Sequence, residues 1–196
     1  MLPAGALTHA QMRKLLGRIR TDTGAGYRDR AMFETLYSTG IRAGELLGMD
    51  VPDIDIKNAS ALITGKGRRQ RIAPVGKTAL GHLKTYITAV RPFFVCNPEE
   101  PALFLNGEGR RVIYHMFRKS LKTYADAAGL ENVTLHTFRR SFATELLRGG
   151  ANMYHVKELL GHKTLNTLRH YAKLTITDLK KTHRKCHPRE RDAGSS

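Results

Sequence analysis

One segment of β-branched residues, positions 51–75, interrupts a chain whose other apolar residues recur at helical spacing. Within it, "VPDIDI", "SALIT" and "RIAPV" alternate apolar and polar side chains, and the turn-forming runs "KNAS" and "GKGRRQ" separate them. Alternation over short runs bounded by turn residues is typical of strands. The segment therefore predicts a small antiparallel sheet of three strands, and the rest of the fold is left to helices.

Helical patterns occupy most of the remaining chain. Thr8 followed by Gln11 forms a capping-box pattern at the start of a first helix. Gly40 is placed to end a second helix, "YRDRAMFETLYSTG", and a short helical turn, "RAGELL", follows. Further helices are predicted over residues 77–90, 114–128, 137–147, 153–160, 165–171 and 176–183. The sum is a mainly α domain with a small three-stranded sheet (α+β), and the last dozen residues are expected to fray.

The charge of the chain favours a polyanionic partner. There are 33 Lys and Arg residues against 17 Asp and Glu, a formal net charge of +16 with a pI near 10.2. Such a field attracts polyanions, so nucleic acid is the leading partner. A merely solubilising surface and an anionic membrane stay open, although no apolar run approaches the roughly 18 residues of a membrane helix. Two cysteines without a metal-type spacing, Cys96 and Cys186, predict free thiols and a cytoplasmic protein.

Two pairs of residues are suited to binding an anion. His136 and Arg139, in "LHTFRRSFATELL", stand three apart near a helix start, so both are expected on one face, turned away from the apolar residues. Arg42 and Glu45, in "STGIRAGELL", have the same spacing. A buried arginine held by a carboxylate presents a rigid fork to phosphate oxygens. Taken singly, each pair also fits an ordinary solvated surface or a surface ion pair.

The predicted hairpin "LITGKGRRQRIAPV" concentrates positive charge at its turn. Lys66, Arg68, Arg69 and Arg71 fall within it, and flanking glycines let the turn approach a DNA backbone. A solvated charged turn fits this segment equally well when it is considered alone.

Four histidines raise a zinc site as an alternative: His136, His155, His162 and His170. Zinc in proteins normally takes three or four ligands at compact spacings such as HExxH, and this sequence contains none of them. We therefore predict neither a metal ion nor a cofactor.

In chain order, "TGIRAGE", "TGKGRRQR", "HTFR", "LGH" and a tyrosine nine residues after that last histidine form a set. This set resembles the tyrosine recombinases, the phage-integrase-like site-specific recombinases, over nearly the whole chain up to Tyr171. The resemblance implies that a tyrosine attacks a DNA phosphodiester. The positions that match the family's active site are Arg42, Lys66, His136, Arg139, His162 and Tyr171, with Glu45 supporting the first arginine. All seven positions carry an expected residue, which favours an active enzyme.

The chemistry of these residue types agrees with that implication. Ionising a tyrosine at pH 7 costs roughly 4 kcal/mol, so Tyr171 needs a base within hydrogen-bond reach, for which His136 is the candidate. The developing charge on the phosphate oxygens would be held by Arg42, Arg139 and His162. Lys66 is the candidate acid for the leaving 5′-oxygen. The resemblance implies a 3′-phosphotyrosine and a free 5′-hydroxyl, with rejoining that needs neither ATP nor metal.

The resemblance also sets expectations for organisation and partners. Residues 1–175 are expected to form the catalytic domain and residues 176–196 a basic tail, which either packs against a neighbouring subunit or stays free and attracted to DNA. The family's helical N-terminal DNA-binding domain has no counterpart here, so weaker DNA binding is expected. A homo-tetramer on DNA, a monomer when free, and association with the nucleoid in a bacterial or phage setting are implied. The residues predicted to contact DNA are Arg68, Arg69, Arg71 and Lys163.

Two other functions stay open at this point. A type IB topoisomerase-like enzyme would use the same chemistry to relax supercoils, and a non-catalytic DNA-binding regulator could retain the fold without the reaction. The intact set of active-site residue types argues against the regulator.

Overall fold

The computed structural model describes residues 5–161 and 176–192, with Lys66, Arg191 and Asp192 described by their backbone alone. The helices are α1 (His9–Gly17), α2 (Gly24–Thr39), α3 (Ala43–Leu47), α4 (Lys77–Thr85), α5 (Tyr114–Ala127), α6 (Leu135–Arg148), α7 (Met153–Leu160), α8 (Ile176–Cys186) and α9 (Pro188–Asp192). The strands are β1 (Ile54–Asp55), β2 (Ser60–Thr64) and β3 (Gln70–Pro74). The mainly α prediction with one small sheet is confirmed, and the helix predicted over 165–171 lies outside the described residues.

The ends of the first two helices follow the local rules that the sequence displays. Thr8 accepts a hydrogen bond from the Gln11 N–H at 3.2 Å, and Gln11 returns one to the Thr8 N–H at 2.9 Å. Gly40 ends α2 in the left-handed region, with φ of 62°. A Cβ at Gly40 would lie 2.2 Å from the ring of Phe142, so the glycine also lets α2 and α6 approach closely.

The sheet has the order β1-β2-β3 and both pairs are antiparallel, as predicted. Its first strand is shorter than the alternation suggested, because Val51–Asp53 forms a 3₁₀ turn with a proline near its start. Ala61, Ile63 and Ala73 are buried on one face. That face packs on the main core, so the sheet is held at the edge of the helical domain and its hairpin projects from it.

The main core lies between α1, α2, α5, α6 and the sheet. Phe33 of α2 is at its centre, with ring centroids 4.6 Å from Phe117 and 5.4 Å from Phe138. A smaller cluster joins α6, α7 and α8 through Phe142 and Cys186, together with their aliphatic neighbours. No helix in the described ranges is long and apolar enough to cross a membrane.

The expectation of a frayed end is wrong for residues 186–192, because α8 and α9 dock on the chain's own helices. His183 Nε2 lies 2.6 Å from the Ser38 carbonyl oxygen at the end of α2. Glu190 accepts a hydrogen bond of 2.6 Å from the Lys77 N–H in the first turn of α4. The N-cap residue of that helix, Gly76, has no side chain to do this, so Glu190 caps α4 instead. Polar side chains for which the sequence suggests a solvated position thus form hydrogen bonds with residues more than a hundred positions away in the chain.

Candidate active site

Arg42 and Glu45 meet at the junction of α2 and α3. Arg42 is the N-cap residue of α3. Its backbone N–H and its Nη1 both donate hydrogen bonds to the Glu45 carboxylate, at 2.9 Å and 3.2 Å. The Glu45 side chain is 8% exposed and the Arg42 side chain 52%. The pair is therefore neither the buried arginine nor the plain surface ion pair that the sequence left open: the carboxylate is buried, while the guanidinium stays open to solvent and able to meet a ligand.

Arg71 shares the same carboxylate. Its Nη1 and Nη2 donate to the two oxygens of Glu45 at 3.0 and 2.8 Å, a bidentate pair. Burial pushes the pKa of Glu45 up, but the hydrogen bonds from Arg71 and the Arg42 N–H, with both positive charges, hold that pKa below its ordinary value. Arg71 as a DNA contact stays a prediction. No local sequence pattern indicates this ion pair, because its partners lie 26 residues apart.

Arg139 is buried rather than turned toward solvent, which contradicts half of the prediction for the His136–Arg139 pair. Its Nη1 donates to the Gly40 carbonyl and its Nη2 to the Leu160 carbonyl, each at 2.7 Å. The guanidinium thus ties the end of α2 to the end of α7. Burial, and next the charge of Arg42, lower the pKa of Arg139 to about 10, so this side chain remains cationic at pH 7.

His136 remains exposed in the first turn of α6, as predicted. It lines a cavity of about 220 Å³ together with Arg42, Arg139 and Tyr114. Burial and the charges of the neighbouring arginines lower the pKa of His136 below its ordinary value. The imidazole is therefore neutral at pH 7 and able to accept a proton. Tyr114, at the start of α5, was missed in the sequence because no local pattern separates it from other surface aromatics.

A larger cavity of about 1060 Å³ opens between α3 and the β2–β3 hairpin. Arg42 and Gly44 line both cavities, so the two form one continuous cleft. The other residues that line the larger part are Glu45, Thr64, Gly65, Gly67, Arg69, Gln70, Arg71 and Gly161. With three arginines and one carboxylate among its charged lining residues, this cleft suits a polyanion.

The hairpin turn carries the remaining predicted cations. Lys66–Arg68 forms a short turn in which Gly67 and Arg68 have φ of 74° and 56°. Arg68 and Arg69 are exposed, and their roles as DNA contacts, like that of Lys66 as an acid, stay predictions. His162, Lys163 and Tyr171 lie outside the described residues. Gly161, which directly precedes them in the sequence, lines the cleft.

The histidines in the described ranges do not form a metal centre. No group of three or more His, Cys, Asp or Glu side chains there could hold a metal ion. His155, one of the four histidines considered for zinc, instead forms a hydrogen bond of 2.7 Å with the Thr182 hydroxyl of α8. His162 and His170 fall outside those ranges.

Comparison with known sequences gives a family match. A model of the phage integrase family matches residues 6–177. Tyrosine recombinase XerC of Pelotomaculum thermopropionicum is 41% identical over 169 residues, which cover 84% of this chain and 55% of that protein. Tyrosine recombinase XerD of Staphylococcus epidermidis is 39% identical over 165 residues, 84% of this chain and 56% of that protein. The chain thus spans about half the length of these relatives.

Solved structures share the fold. The XerA recombinase superposes with a TM-score of 0.74 at 24% identity, covering 96% of this chain and 66% of XerA. XerH bound to its difH substrate before cleavage superposes with a TM-score of 0.73 at 26% identity, covering 94% of this chain and 55% of XerH.

Proposed function

Because this chain belongs to the phage integrase family, we propose that it breaks and rejoins double-stranded DNA at specific sites through a covalent 3′-phosphotyrosine intermediate. The observation that carries the proposal is the cleft in which Arg42, His136 and Arg139 converge beside a cationic hairpin. The relatives that match are named recombinases, which favours recombination over the topoisomerase-like and regulatory alternatives.

The electrostatics of the cleft suit a phosphate. Burial lowers the pKa of Arg139 most, and the charges of Arg42 and Arg71 lower it further, while Glu45 opposes them. These guanidinium groups therefore repel one another, and Glu45 offsets only part of their charge. A phosphodiester placed between Arg42 and Arg139 would relieve that repulsion. Both arginines are held before any ligand arrives, by Glu45 and by two backbone carbonyls. Donors fixed in this way stabilise the charge that develops in the transition state without reorganising.

The proton transfers follow from the proposed assignments. The Tyr171 oxygen forms a bond to phosphorus as the bond from phosphorus to the 5′-oxygen breaks. His136, neutral at pH 7, accepts the tyrosine proton, and Lys66 gives a proton to the departing 5′-oxygen. His162 adds a donor to the phosphate oxygens. Rejoining reverses these transfers with the 5′-hydroxyl of another strand.

The partner and assembly are part of the same proposal. The partner is double-stranded DNA, with Arg68, Arg69 and Lys163 along its backbone. The net charge of +16 supports this partner, as do the solved structures of XerH bound to its difH substrate and to a palindromic difH substrate. We expect the chain to act in the cytoplasm, on the nucleoid in a bacterial setting. We expect a monomer when free, which agrees with a tail that is docked on its own chain, and a homo-tetramer on DNA.

The decisive test is Tyr171→Phe. A nicked suicide substrate lets the short fragment with the free 5′-hydroxyl diffuse away, so the wild-type protein should accumulate a covalent adduct on a denaturing gel. The variant should form no adduct and should still bind DNA, because only one hydroxyl is lost. An adduct that persists in Tyr171→Phe would place the nucleophile elsewhere. A wild-type protein that forms none on any DNA substrate would overturn the proposal.

A further inference from the structure

The carboxylate of Glu45 is held more firmly by Arg71 than by Arg42. Arg71 donates twice through its terminal nitrogens, at 3.0 and 2.8 Å, whereas the Arg42 side chain donates once, at 3.2 Å. The Arg71 side chain is 21% exposed against 52% for Arg42. A paired fork fixes both the position and the plane of the carboxylate. The position of Glu45, which in turn holds Arg42, is thus set largely by Arg71.

Arg71 also ties the hairpin to this junction. It lies on β3 opposite Ile63 of β2, five residues after Lys66 in the sequence. A Cβ at Gly65, the residue before Lys66, would lie 3.5 Å from a Glu45 oxygen and 3.8 Å from Arg71 Nη1. The base of the turn that carries Lys66 therefore packs directly on the Arg71–Glu45 pair.

A third segment rests on the same guanidinium. Gly161 ends α7 with φ of 67°, and a Cβ there would lie 2.9 Å from Nε and 3.0 Å from Cζ of Arg71. Only a residue without a side chain allows this approach. That Nε atom is buried and, within the described part of the chain, has no hydrogen-bond partner. Arg71 thus packs between α3, the hairpin and the end of α7, although part of its side chain lines the cleft. Both of its terminal nitrogens already donate to Glu45, which favours a structural role over a contact with a DNA strand.

We propose that Arg71 is a positioning residue of the recombination reaction. Its guanidinium fixes Glu45, and through Glu45 the Arg42 side chain, relative to the hairpin that carries Lys66. This inference rests on the proposed function, since it assigns Arg71 a part in that reaction. It replaces the direct contact between Arg71 and DNA that the sequence predicts.

Three substitutions test the role. Arg71→Gln removes the charge and the fork, and Arg71→Lys keeps the charge but cannot pair with both oxygens in one plane. Arg148→Gln is the matched control, because Arg148 pairs at 3.1 Å with Glu145, a carboxylate that is also 8% exposed, at the far end of α6. Circular dichroism melting checks that each variant folds. If Arg71→Gln does not fold, the test rests on Arg71→Lys.

The kinetic readout is single-turnover adduct formation at saturating DNA. We expect Arg71→Gln to be slower by about ten- to a hundredfold, since a displacement near 1 Å at a reacting group costs about that much. Arg71→Lys should recover little of the rate, and Arg148→Gln should match wild type. In a Glu45→Gln background, Arg71→Gln should slow the reaction little further, because Arg71 acts through Glu45. Full recovery with lysine, or independent effects in the double variant, would overturn the proposal.

The binding readout separates positioning from phosphate contact. The slope of log K against log salt is negative, and a lost phosphate contact makes it shallower by about 0.9, whereas loss of a positioning residue leaves it unchanged. We expect Arg71→Gln to keep the wild-type slope and Arg69→Gln to give a shallower one. A shallower slope for Arg71→Gln would return Arg71 to the DNA contacts.

Hydrogen exchange tests whether Arg71 ties the hairpin to α3, even if the wild-type protein makes no adduct. Amides of β2 and β3 should exchange faster in Arg71→Gln than in Arg148→Gln, because the hairpin loses its tie to α3. Equal exchange in the two variants would overturn the proposal. Faster exchange without any adduct would leave the structural tie standing and overturn the proposed function instead.

Discussion

The imidazole rings of His183 and His187 stack in the docked tail, with centroids 4.8 Å apart and planes 7° apart. Both rings are buried, and their Nε2 atoms lie 2.6 Å and 3.3 Å from the carbonyl oxygens of Ser38 and Tyr37. Burial lowers the pKa of both histidines, and the charge of His183 lowers that of His187 further. The tail is therefore docked through two imidazoles that are neutral at pH 7.

This pairing predicts that acid releases the tail. An undocked histidine binds a proton near pH 6.5, whereas the docked rings bind one only at lower pH. Docking is therefore fully stable above about pH 6.5 and weakens as the pH falls from there toward the docked pKa values. The groups that face the pair are Glu190, which favours the charged His183, and Arg189 and His9, which oppose charge on His187. The protection factors of the α8 and α9 amides, which are exchange rates corrected for the intrinsic rate at each pH, should fall as the pH is lowered from 7.5 to 5.

A variant with one titrating ring fewer provides the control. His187→Phe keeps an aromatic ring beside Tyr37 and Phe142, which lie 4.9 and 5.6 Å from His187 by ring centroids. It should therefore dock with a weaker pH dependence than wild type. If both proteins release the tail along the same pH curve, the histidine pair is not the cause.

Local rules explain which parts of the fold were predictable. The Thr8 capping box, the turn at Gly40 and the three-stranded pattern depend on residues a few positions apart, so spacing alone was sufficient. The docked tail depends on partners 113, 145 and 150 residues away, and the partners of the Arg71–Glu45 pair are 26 residues apart. Sequence periodicity does not predict which distant carbonyl or carboxylate a polar side chain will form a hydrogen bond with.

The same reasoning explains why the candidate site was only partly predicted. The identities of Arg42, His136 and Arg139 came from an ordered set of short motifs, and the structure brings all three to one cavity. The burial of Arg139 was misjudged, because an arginine beside a phenylalanine-rich face usually points to water. Here two helix-end carbonyls supply the hydrogen bonds that make burial of a guanidinium tolerable.

That burial predicts a stability cost for Arg139→Ala. The substitution leaves the carbonyls of Gly40 and Leu160 without this donor, and an unsatisfied buried acceptor costs about 1–3 kcal/mol. Arg42→Gln should cost under about 1 kcal/mol, because its guanidinium is half exposed and surface ion pairs contribute little. Urea unfolding of both variants measures the difference. Equal losses would mean that the Arg139 hydrogen bonds add nothing to stability, and any defect of Arg139→Ala in catalysis must be compared with this measurement.

A third prediction concerns ions. DNA binding should weaken steeply with salt, because a chain of net charge +16 displaces counterions from the duplex. Cleavage should survive EDTA, because Arg42 and Arg139 supply the positive charge that a metal ion would otherwise bring. The measurement is adduct formation before and after chelation at fixed salt. Loss of cleavage in EDTA, restored by zinc or magnesium, would revive a metal site that includes His162 or His170.

The final prediction isolates Lys66 as the acid. Lys66→Ala should fail on ordinary DNA, because the 5′-oxygen must then leave without a proton. A bridging 5′-sulfur needs little protonation, since a thiol's pKa of roughly 8.5 lies far below that of an alcohol. Cleavage by Lys66→Ala should therefore recover on the sulfur substrate under single-turnover conditions.

Arg42→Gln is the better comparator for this test than an Arg139 variant, because its folding should be nearly intact. It should not recover on the sulfur substrate, since the oxygens that Arg42 is proposed to hold are not the atom that sulfur replaces. Equal defects of Lys66→Ala on both substrates would mean that Lys66 only grips the DNA backbone. The proton would then have to come from another group in the cleft, and His136, which lines it beside Arg42 and Arg139, is the first to test.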